Sequence, residues 1–492
     1  MKEETAMVIE QKKWIIWGAG QIGRSICRLL LYKNCNVIAF IDLNPKLQGQ
    51  KIEGVKVHGK NALSLFENYV VCVAVDGRYD EIAYILMNEY GLHRDQILNY
   101  PNFLQEALMK NIQVPHKKVT TDKSIVFLCD GGLGLGGVET WCLTFGKLLK
   151  QKGITVKYLV PCNEKENKQN LIEIECEDFC DFGNTVVFET LIQRLVECLP
   201  CTVVTNYKYL GYLAACAVKQ AYPKDIRVVS VVHGGKQEIF DWNVIYQDYV
   251  DCFIGVSRYG ICDKLIENGI PKDKVENVVC PVPIGKKLER AYSKAGDAVV
   301  LAYAGRLTLK DPDKRIDLLI PFIERLEKSK TNYILHIAGD GDYRQELETF
   351  IYQSHLQKKI FIHGLIPRDQ MKEYWKNTDI FINISDSEGN CMSMLEALSQ
   401  GCVPILTDVS GVRDSVENGY NGYIVKKRDI DAMVKHIFYL DEHRELIKVF
   451  GKRSWEKMRE TYCDEKMTKK FLKILTGHPN IPLDRGVSEK GG

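Results

Sequence analysis

The sequence predicts an α/β protein of three doubly wound domains, each with a mostly parallel sheet between helices. Strand patterns alternate with amphipathic helical patterns along most of the chain. A length of 492 residues also exceeds what one hydrophobic core usually supports. A Gly-rich turn joins the first strand to the first helix, as in a parallel βαβ unit. We therefore expect ligands at the carboxyl ends of the strands.

The first predicted domain, residues 1–112, is a Rossmann-like nucleotide-binding domain. The stretch WIIWGAGQIGRSICRLLLYKN, followed by NVIAFID, indicates strand, turn, helix and strand, with Gly18, Gly20 and Gly23 in GxGxxG spacing. Asp42 ends the second strand, where an acid that binds ribose belongs. Two interpretations stay open. Either the domain binds NAD(P) or another nucleotide, or its glycines serve only the tight packing of helix against strand.

Two further α/β series follow a polar connector. The second begins at SIVFLCDGG and the third at AVVLAYAGRL, with a boundary in the stretch AYSKAGD. These patterns predict domains over 123–295 and 296–455. They also predict a charged helix over 456–475, crossing back to the second domain, and a disordered tail over 476–492.

Composition excludes several classes of protein. The formal net charge of +2 gives no polyelectrolyte signature, so we expect no nucleic-acid partner. The lack of an apolar run of signal-peptide or membrane-helix length predicts a cytoplasmic protein. The 17 cysteines are spread through apparent strands and helices, as expected of buried thiols in a reducing compartment. A zinc site formed by Cys176, Cys180, Cys198 and Cys201 is the less favoured alternative, since neither pair has a Gly-rich knuckle context.

The stretch SDSEGNCMSMLEALSQGCVPIL carries the main candidate site. A strand is predicted to end at Ser385 and a helix to begin near Asn390, so that its free N–H groups face a bound anion such as a diphosphate. Glu388 is placed to accept hydrogen bonds from sugar hydroxyls, and Glu396 from both hydroxyls of a ribose. Spacing alone favours two ordinary surface glutamates, so the context has to decide.

Two basic residues supply that context. Arg306 stands at the carboxyl end of the strand in AYAGRL, and Lys314 follows at the predicted start of a helix. Two cations at this edge of the sheet would neutralise a diphosphate leaving group. Two solvated surface cations are the alternative.

Six motifs occur in order in the third series: AGRL, KRIDLL, IAGDGDYRQEL, FIHGLI, YWKNTDIFINISDSEG and MLEALSQGCVPILTDVSGVRDSVENGYNGYIV. In this order they resemble the donor-binding half of a retaining glycosyltransferase of family 4, with the GT-B fold. The resemblance implies that Glu388 contacts the donor sugar, that Glu396 contacts the ribose, and that Arg306 and Lys314 bind the diphosphate. Further implied donor contacts are Gly364, Leu365, Gly389, Asn390 and Cys391. The wide Arg306 to Lys314 spacing, and Gly-Asn-Cys where Gly-Phe-Gly is frequent, leave the donor's identity open.

The second domain resembles the acceptor half of the same family. Gly136 and Gly137, in the loop DGGLGLGGVETW, would allow the backbone to approach the donor phosphate and the acceptor closely. The resemblance implies that His233 faces the cleft and contacts the donor sugar or its phosphate, and a satisfied core histidine is the alternative. Asn206, at another strand end, is a weaker candidate for the acceptor site.

The resemblance implies a hexosyltransferase-type enzyme. It would move a sugar from a nucleotide-diphosphate sugar to a glycan or lipid-linked acceptor, with retention, in cell-surface polysaccharide or glycoconjugate synthesis. No metal or cofactor is expected for transfer, because Arg306, Lys314 and the helix N-terminus stabilise the leaving group. The stretches 311–313 and 340–342 match the metal-binding Asp-x-Asp pattern only superficially.

Three other functions stay open. The main alternative is a nucleotide-sugar oxidoreductase or epimerase that uses the first domain, although no catalytic Tyr-x-x-x-Lys follows a fourth strand. A hydrolase or epimerase on the GT-B fold and a non-catalytic sensor of sugar nucleotides are the others. For basic stretches such as TFGKLLKQKG, a solvated helix face is favoured over peripheral contact with the inner face of the membrane.

Overall fold

The structure is a computed structural model that describes residues 12–110, 112–117, 123–134, 136–162, 171–176, 178–206 and 208–477. These residues form three mostly parallel sheets with helices packed on their faces. The predicted α/β class, with three doubly wound domains, is confirmed. In the described part of the chain, every helix is too short or too polar to cross a membrane.

The first sheet has the strand order β3-β4-β2-β1-β5-β6. Its central strand β1 pairs in parallel with β2 on one side and β5 on the other, which explains why the apolar run of β1 is buried. The elements of this domain are β1 (Lys13–Trp17), α1 (Gln21–Tyr32), β2 (Asn36–Ile41), β3 (Lys51–Ile52), β4 (Val55–His58), β5 (Tyr69–Val73), α2 (Tyr79–Tyr90), β6 (Ile97–Asn99) and α3 (Tyr100–Leu104).

The second sheet has seven strands in the order β13-β12-β11-β10-β7-β8-β9. All its strand pairs are parallel. Its elements are β7 (Ser124–Leu128), α4 (Gly137–Gln151), β8 (Val156–Pro161), β9 (Leu171–Ile174), α5 (Thr185–Glu197), β10 (Cys201–Thr205), α6 (Leu210–Ala221), β11 (Ile226–Val232), α7 (Gln237–Ile245), β12 (Cys252–Gly255), α8 (Asp263–Glu267) and β13 (Val275–Asn277).

The third sheet has six parallel strands in the order β16-β15-β14-β17-β18-β19. The order reverses between β14 and β17, and such a switch point opens a crevice at the carboxyl ends of the strands. Its elements are β14 (Val299–Ala304), α9 (Leu319–Lys328), β15 (Tyr333–Ala338), α10 (Arg344–Gln353), β16 (Ile360–Gly364), α11 (Met371–Lys376), β17 (Ile380–Asn383), α12 (Met392–Ser399), β18 (Val403–Thr407), α13 (Val412–Ser415), β19 (Tyr423–Val425), α14 (Ile430–Glu442), α15 (Arg444–Thr461) and α16 (Asp464–Thr476).

The first two domains share one hydrophobic core. Helix α3 of the first domain packs against α7 of the second, with the rings of Tyr100 and Trp242 6.1 Å apart. The buried Tyr246 hydroxyl donates a hydrogen bond of 2.6 Å to the Pro101 carbonyl. Buried aromatic contacts of this kind hold the two domains together as one packed unit.

The end of the described chain differs from the prediction. The single helix expected over 456–475 is two helices, α15 and α16, separated at Tyr462 and Cys463. Helix α16 returns to the second domain, where the Phe471 ring lies 5.1 Å from Trp141 and 4.5 Å from Phe145. The break precedes Asp464, whose acidic side chain in the first turn favours the start of a new helix. Most of the predicted tail, residues 478–492, lies outside the described residues.

Candidate active site

Glu388 lies in the loop between β17 and α12, and its carboxylate is held on several sides. The Lys314 ammonium lies 2.8 Å from both of its oxygens. The Ser385 hydroxyl donates to Oε1 at 2.8 Å, and the Asn383 amide donates to it at 3.4 Å. The Glu388 side chain is 8% exposed and that of Lys314 is 23% exposed. The geometry therefore fixes a charged pair at the edge of the cleft.

Lys314 stays protonated in this environment. Burial alone would lower its pKa, but the negative charge of Glu388 more than compensates, so the pKa is raised. The local structure differs from the prediction, because Lys314 ends a 3₁₀ turn, Pro312–Lys314, and α9 begins only at Leu319. Arg315 follows in the left-handed region with φ 50°, so the chain turns before the helix begins and directs Lys314 to the cleft.

Arg306 follows β14 and reaches the same cleft. Its side chain is 69% exposed, and its guanidinium lies 2.7 Å from Asp311. Asp313 pairs across the cleft with Lys236 of the second domain at 3.2 Å. An exposed guanidinium held by one exchangeable partner is able to turn towards a bound anion.

The aspartates that resemble a metal motif have local partners. Besides the pairs of Asp311 and Asp313, Asp340 pairs with Arg344 at 3.2 Å, and Asp342 accepts the Leu309 N–H at 3.1 Å. Within the described ranges, three or more histidine, cysteine or acidic side chains do not gather into a group able to hold a metal ion. The described residues around Cys176, Cys180, Cys198 and Cys201 likewise form no such group.

His233 follows β11 and is tied to Asn206. The distance from its Nε2 to Asn206 Oδ1 is 2.9 Å, and the Asn206 amide donates in turn to the Leu128 carbonyl at 2.9 Å. Because the Asn206 oxygen can only accept, Nε2 carries the proton and Nδ1 is left as an acceptor. Desolvation lowers the pKa of His233 to about 3. The imidazole is therefore neutral at physiological pH.

On acidification, the His233→Gln variant should lose less stability than the wild type. The ordinary pKa of an unfolded histidine is about 6.5, whereas that of folded His233 is about 3. Between these values the unfolded chain binds a proton that the folded chain does not, so stability is complete above about pH 6.5 and falls as the pH falls. Glutamine does not titrate, yet its amide can still donate to Asn206.

The measurement is the melting temperature of both proteins at about pH 7.5 and pH 5.5. We expect a smaller fall in the variant than in the wild type. His116→Gln, the same substitution at an exposed histidine, is the matched control. Equal falls for wild type and His233→Gln would contradict the prediction.

Two helix N-termini meet at one cavity between the second and third domains, which we call the Glu388 cavity. Its volume is about 470 Å³. Helix α4 begins there at Gly137, and α12 begins there at Met392. The predicted residues that line it are Gly136, Gly137, His233, Arg306, Lys314, Glu388, Gly389, Asn390 and Cys391. Two positive helix ends and two cations make this cavity suited to an anion.

Gly389 lies where the backbones of the second and third domains approach each other closely. A Cβ added there would lie 1.7 Å from the His233 carbonyl oxygen. The neighbouring Asn390 amide donates across the cleft to the Val256 carbonyl at 2.8 Å. Cys391 is buried beside Ser393, and burial raises the pKa of its thiol to about 11. Gly389 and Asn390 thus contact the second domain, whereas the contacts of Cys391 lie within the third.

Glu396 lies in an adjoining cavity, the Glu396 cavity, of about 640 Å³. Arg368 and Trp375 line the same cavity, and burial raises the pKa of Glu396. Gly364 and Leu365 lie at the end of the edge strand β16. Among the described residues, the linings of the Glu388 cavity and the Glu396 cavity do not include Gly364 or Leu365. Glu396 and Glu388 thus line two different cavities.

The predicted nucleotide site of the first domain has a structural explanation for most of its residues. Gly18 has φ 108°, and a Cβ there would lie 2.9 Å from the Ala74 carbonyl oxygen, whereas a Cβ at Gly23 would lie 1.9 Å from the Gly18 carbonyl oxygen. Both positions therefore need glycine for close backbone packing. The Asp42 carboxylate accepts the N–H groups of Ala19 and Asn44 at 2.8 Å. Only Gly20, with open space around it, is left for the approach of a ligand. Binding of NAD(P) or a nucleotide there stays a prediction.

A third cavity, of about 490 Å³, adjoins the Glu388 cavity and shares His233 and Glu388 with it. We call it the Asp76 cavity, because Asp76 of the first domain lines it together with Lys208 and Lys236 of the second. Asn206 lines it as well. Sequence reasoning missed Asp76, since no motif or spacing links it to the cleft.

Two facing α/β domains with a cleft between them are the arrangement of the GT-B fold. Residues 286–457 match the family model described as Glycosyl transferases group 1, and residues 10–98 match one described as C2185-like, N-terminal. The Anabaena protein HepE, solved in complex with UDP and glucose, matches this chain with a TM-score of 0.59 and 14% identity. The match covers 73% of this chain and 100% of that chain. The predicted GT-B fold is confirmed.

Curated relatives agree with this class. The chain is 28% identical over 172 residues to a poly(ribitol-phosphate) alpha-N-acetylglucosaminyltransferase of Staphylococcus aureus, covering 35% of this chain and 34% of that protein. It is 24% identical over 325 residues to a lipopolysaccharide 1,6-galactosyltransferase of Escherichia coli, covering 63% of this chain and 87% of that protein. These relatives are glycosyltransferases, the enzyme class that the sequence predicts. The oxidoreductase or epimerase alternative gains no support from them.

Proposed function

We propose that this chain is a retaining, metal-independent glycosyltransferase. It moves a sugar from a nucleotide-diphosphate sugar to a hydroxyl of a glycan or lipid-linked acceptor in the synthesis of a cell-surface polysaccharide or glycoconjugate. Peripheral contact with the inner face of the membrane is part of the same proposal only where the acceptor is lipid-linked.

One observation carries the proposal. Two cations, Arg306 and Lys314, and the N-termini of α4 and α12 border the single Glu388 cavity, with Glu388 beside them. Positive charges from independent elements converge where a diphosphate would gain negative charge as it leaves. This supply of charge comes from the chain itself, which supports transfer without a metal.

The reaction proceeds on one face of the donor sugar. The acceptor oxygen forms a bond to the anomeric carbon, and the bond from that carbon to the diphosphate oxygen breaks on the same side. The acceptor proton passes to the departing phosphate oxygen. Retention of configuration follows from attack on the face that the leaving group vacates.

His233 and Glu388 orient the sugar in this scheme. A histidine with a pKa of about 3 is a weak base near neutral pH. His233 therefore accepts a hydrogen bond from a sugar hydroxyl at Nδ1, and the proton of the acceptor hydroxyl goes to the phosphate. Both oxygens of Glu388 lie 2.8 Å from the Lys314 ammonium. A carboxylate engaged in this way serves as an acceptor for sugar hydroxyls better than as a nucleophile.

The identity of the donor and acceptor is drawn from relatives and from the cavities. HepE was solved with UDP and glucose, which makes UDP-sugars the first donors to test. The Glu396 cavity is the proposed site of the nucleoside, with Glu396 on the ribose hydroxyls. The names of the relatives point to acceptors in cell-envelope polymers.

The test is incubation of the full chain with UDP-, GDP- and ADP-sugars and a panel of acceptors. The panel contains octyl glycosides of glucose, galactose and N-acetylglucosamine, together with glycerol phosphate and ribitol phosphate. We expect acceptor-dependent release of nucleoside diphosphate, a product with the anomeric configuration of the donor by NMR, and an unchanged rate in EDTA. An inverted product or a strict requirement for Mn²⁺ would overturn the mechanism. Absence of turnover with every donor tested would overturn the function.

A further inference from the structure

Asp76 brings the first domain into the cleft. It follows β5, in the loop before α2, and its carboxylate lies 2.6 Å from the Lys208 ammonium of the second domain. The Tyr100 hydroxyl donates to its other oxygen at 2.6 Å. Despite these contacts the Asp76 side chain keeps 31% of its surface exposed, whereas that of Lys208 keeps 14%. Asp76 is thus fixed in orientation and still open to a ligand.

The strand-end edge of the first sheet faces the second domain at this point. A Cβ on Gly18, in the Gly-rich loop, would lie 2.7 Å from the Val75 side chain, directly before Asp76. A Cβ on Gly77, directly after it, would lie 3.5 Å from Glu238 of α7. The edge at which such sheets bind ligands therefore abuts the wall of the Asp76 cavity.

The charges that line the Asp76 cavity favour an uncharged ligand. Its carboxylates are Asp76, Glu238, Asp311, Asp313 and Glu388. Its cations are Lys208, Lys236, Arg306 and Lys314. Each of these four cations is already within 3.2 Å of one of the carboxylates. With five negative groups against four paired positive ones, a phosphate-bearing polymer would be repelled, whereas sugar hydroxyls would find acceptors.

Aromatic side chains form another part of the wall. Tyr209 lines the cavity and is partly exposed, whereas Tyr212 and Trp242, also in the lining, are almost fully buried. An aromatic ring such as that of Tyr209 offers a flat apolar surface with a polar edge. The cavity volume is in the range of ligand sites.

We propose that Asp76 is a specificity-determining residue of the acceptor site, and that it accepts hydrogen bonds from the hydroxyls of a neutral acceptor sugar. The first domain then forms one wall of the acceptor site. This inference rests on the proposed function and names its acceptor class.

The test uses the full chain with the donor and the octyl glycoside that the wild type uses best. Asp76→Asn should raise the acceptor KM about tenfold or more, the loss expected when a hydroxyl loses a charged hydrogen-bond partner. The donor KM and the slow hydrolysis of donor without acceptor should stay at wild-type values. For one monodeoxy analogue of the acceptor, the wild type should bind the analogue more weakly than the parent sugar. The Asp76→Asn variant should bind that analogue and the parent sugar equally well. A purely structural role of Asp76 would not produce this difference.

Asp80→Asn, the same substitution at a 94% exposed site of the first domain, is the control and should match the wild type. If Asp76→Asn fails to fold, Asp76→Glu keeps the charge and extends the carboxylate by one methylene, and it should change the same deoxy discrimination. An unchanged acceptor KM, a parallel loss of donor hydrolysis, or a preference of the wild type for ribitol phosphate would overturn the inference alone. Absence of turnover by the wild type would overturn the proposed function first.

Discussion

Replacing Lys314 with methionine should lower the rate of sugar transfer by about 10²- to 10³-fold, the loss typical of removing one group that stabilises transition-state charge. The ammonium lies beside Glu388 on the wall of the Glu388 cavity, where the leaving diphosphate becomes more negative. Methionine keeps most of the length of the side chain but not its charge. The measurement is the initial rate of nucleoside diphosphate release at saturating donor and acceptor.

The control for this experiment is Lys310→Met, the same substitution at an exposed position of the same segment. Lys314→Met leaves the Glu388 carboxylate without its cation, which destabilises a largely buried pair. The double variant Lys314→Met with Glu388→Gln removes both charges, so it should recover thermal stability without recovering transfer. A wild-type rate in Lys314→Met would refute the assigned role.

Replacing Gly389 with alanine should abolish most transfer while the domains stay folded. The new methyl carbon would lie 1.7 Å from the His233 carbonyl oxygen and 2.6 Å from its carbon. Backbone atoms cannot turn aside as a side chain does, so the cleft must open. A displacement of about 1 Å at reacting groups can cost about 100-fold in rate, and we expect at least that loss.

Two measurements separate this effect from misfolding. Titration with uridine should show retained binding, because the Glu396 cavity, the proposed nucleoside site, does not include Gly389. Small-angle scattering should show a larger radius of gyration. Gly131→Ala is the matched control, since a Cβ there meets no atom within 4 Å. Normal transfer by Gly389→Ala would mean that the closed contact is dispensable.

Local signals in the sequence predicted the cleft residues of the third domain. Arg306 and Glu388 each follow a buried strand, and the carboxyl ends of parallel strands share one edge of the sheet. Lys314 was predicted in the cleft but on the wrong element, because the left-handed turn at Arg315 has no residue-type signal that marks it. Position relative to strands was thus readable, and the intervening backbone was not.

Contacts between domains were beyond such reasoning. Asp76 reaches the cleft because α3 packs on α7 through Tyr100 and Trp242, and apolar burial carries no record of which partner covers it. The split between α15 and α16 did leave a signal. Asp464 and Glu465 open α16 as an acidic first turn, which a reading of charges along the predicted helix would have found.

The two crossings between the second and third domains have a consequence for the order of events. The chain crosses once near Pro281 and Pro283 and returns near Asp464, and all three residues line the Glu396 cavity. Two covalent connections that lie side by side favour a hinge rotation of one domain relative to the other, about an axis close to that cavity. The nucleoside pocket then keeps its shape while the contact of Gly389 with His233 opens and shuts. We expect obligatory ordered binding, with the nucleotide sugar entering first and the acceptor second.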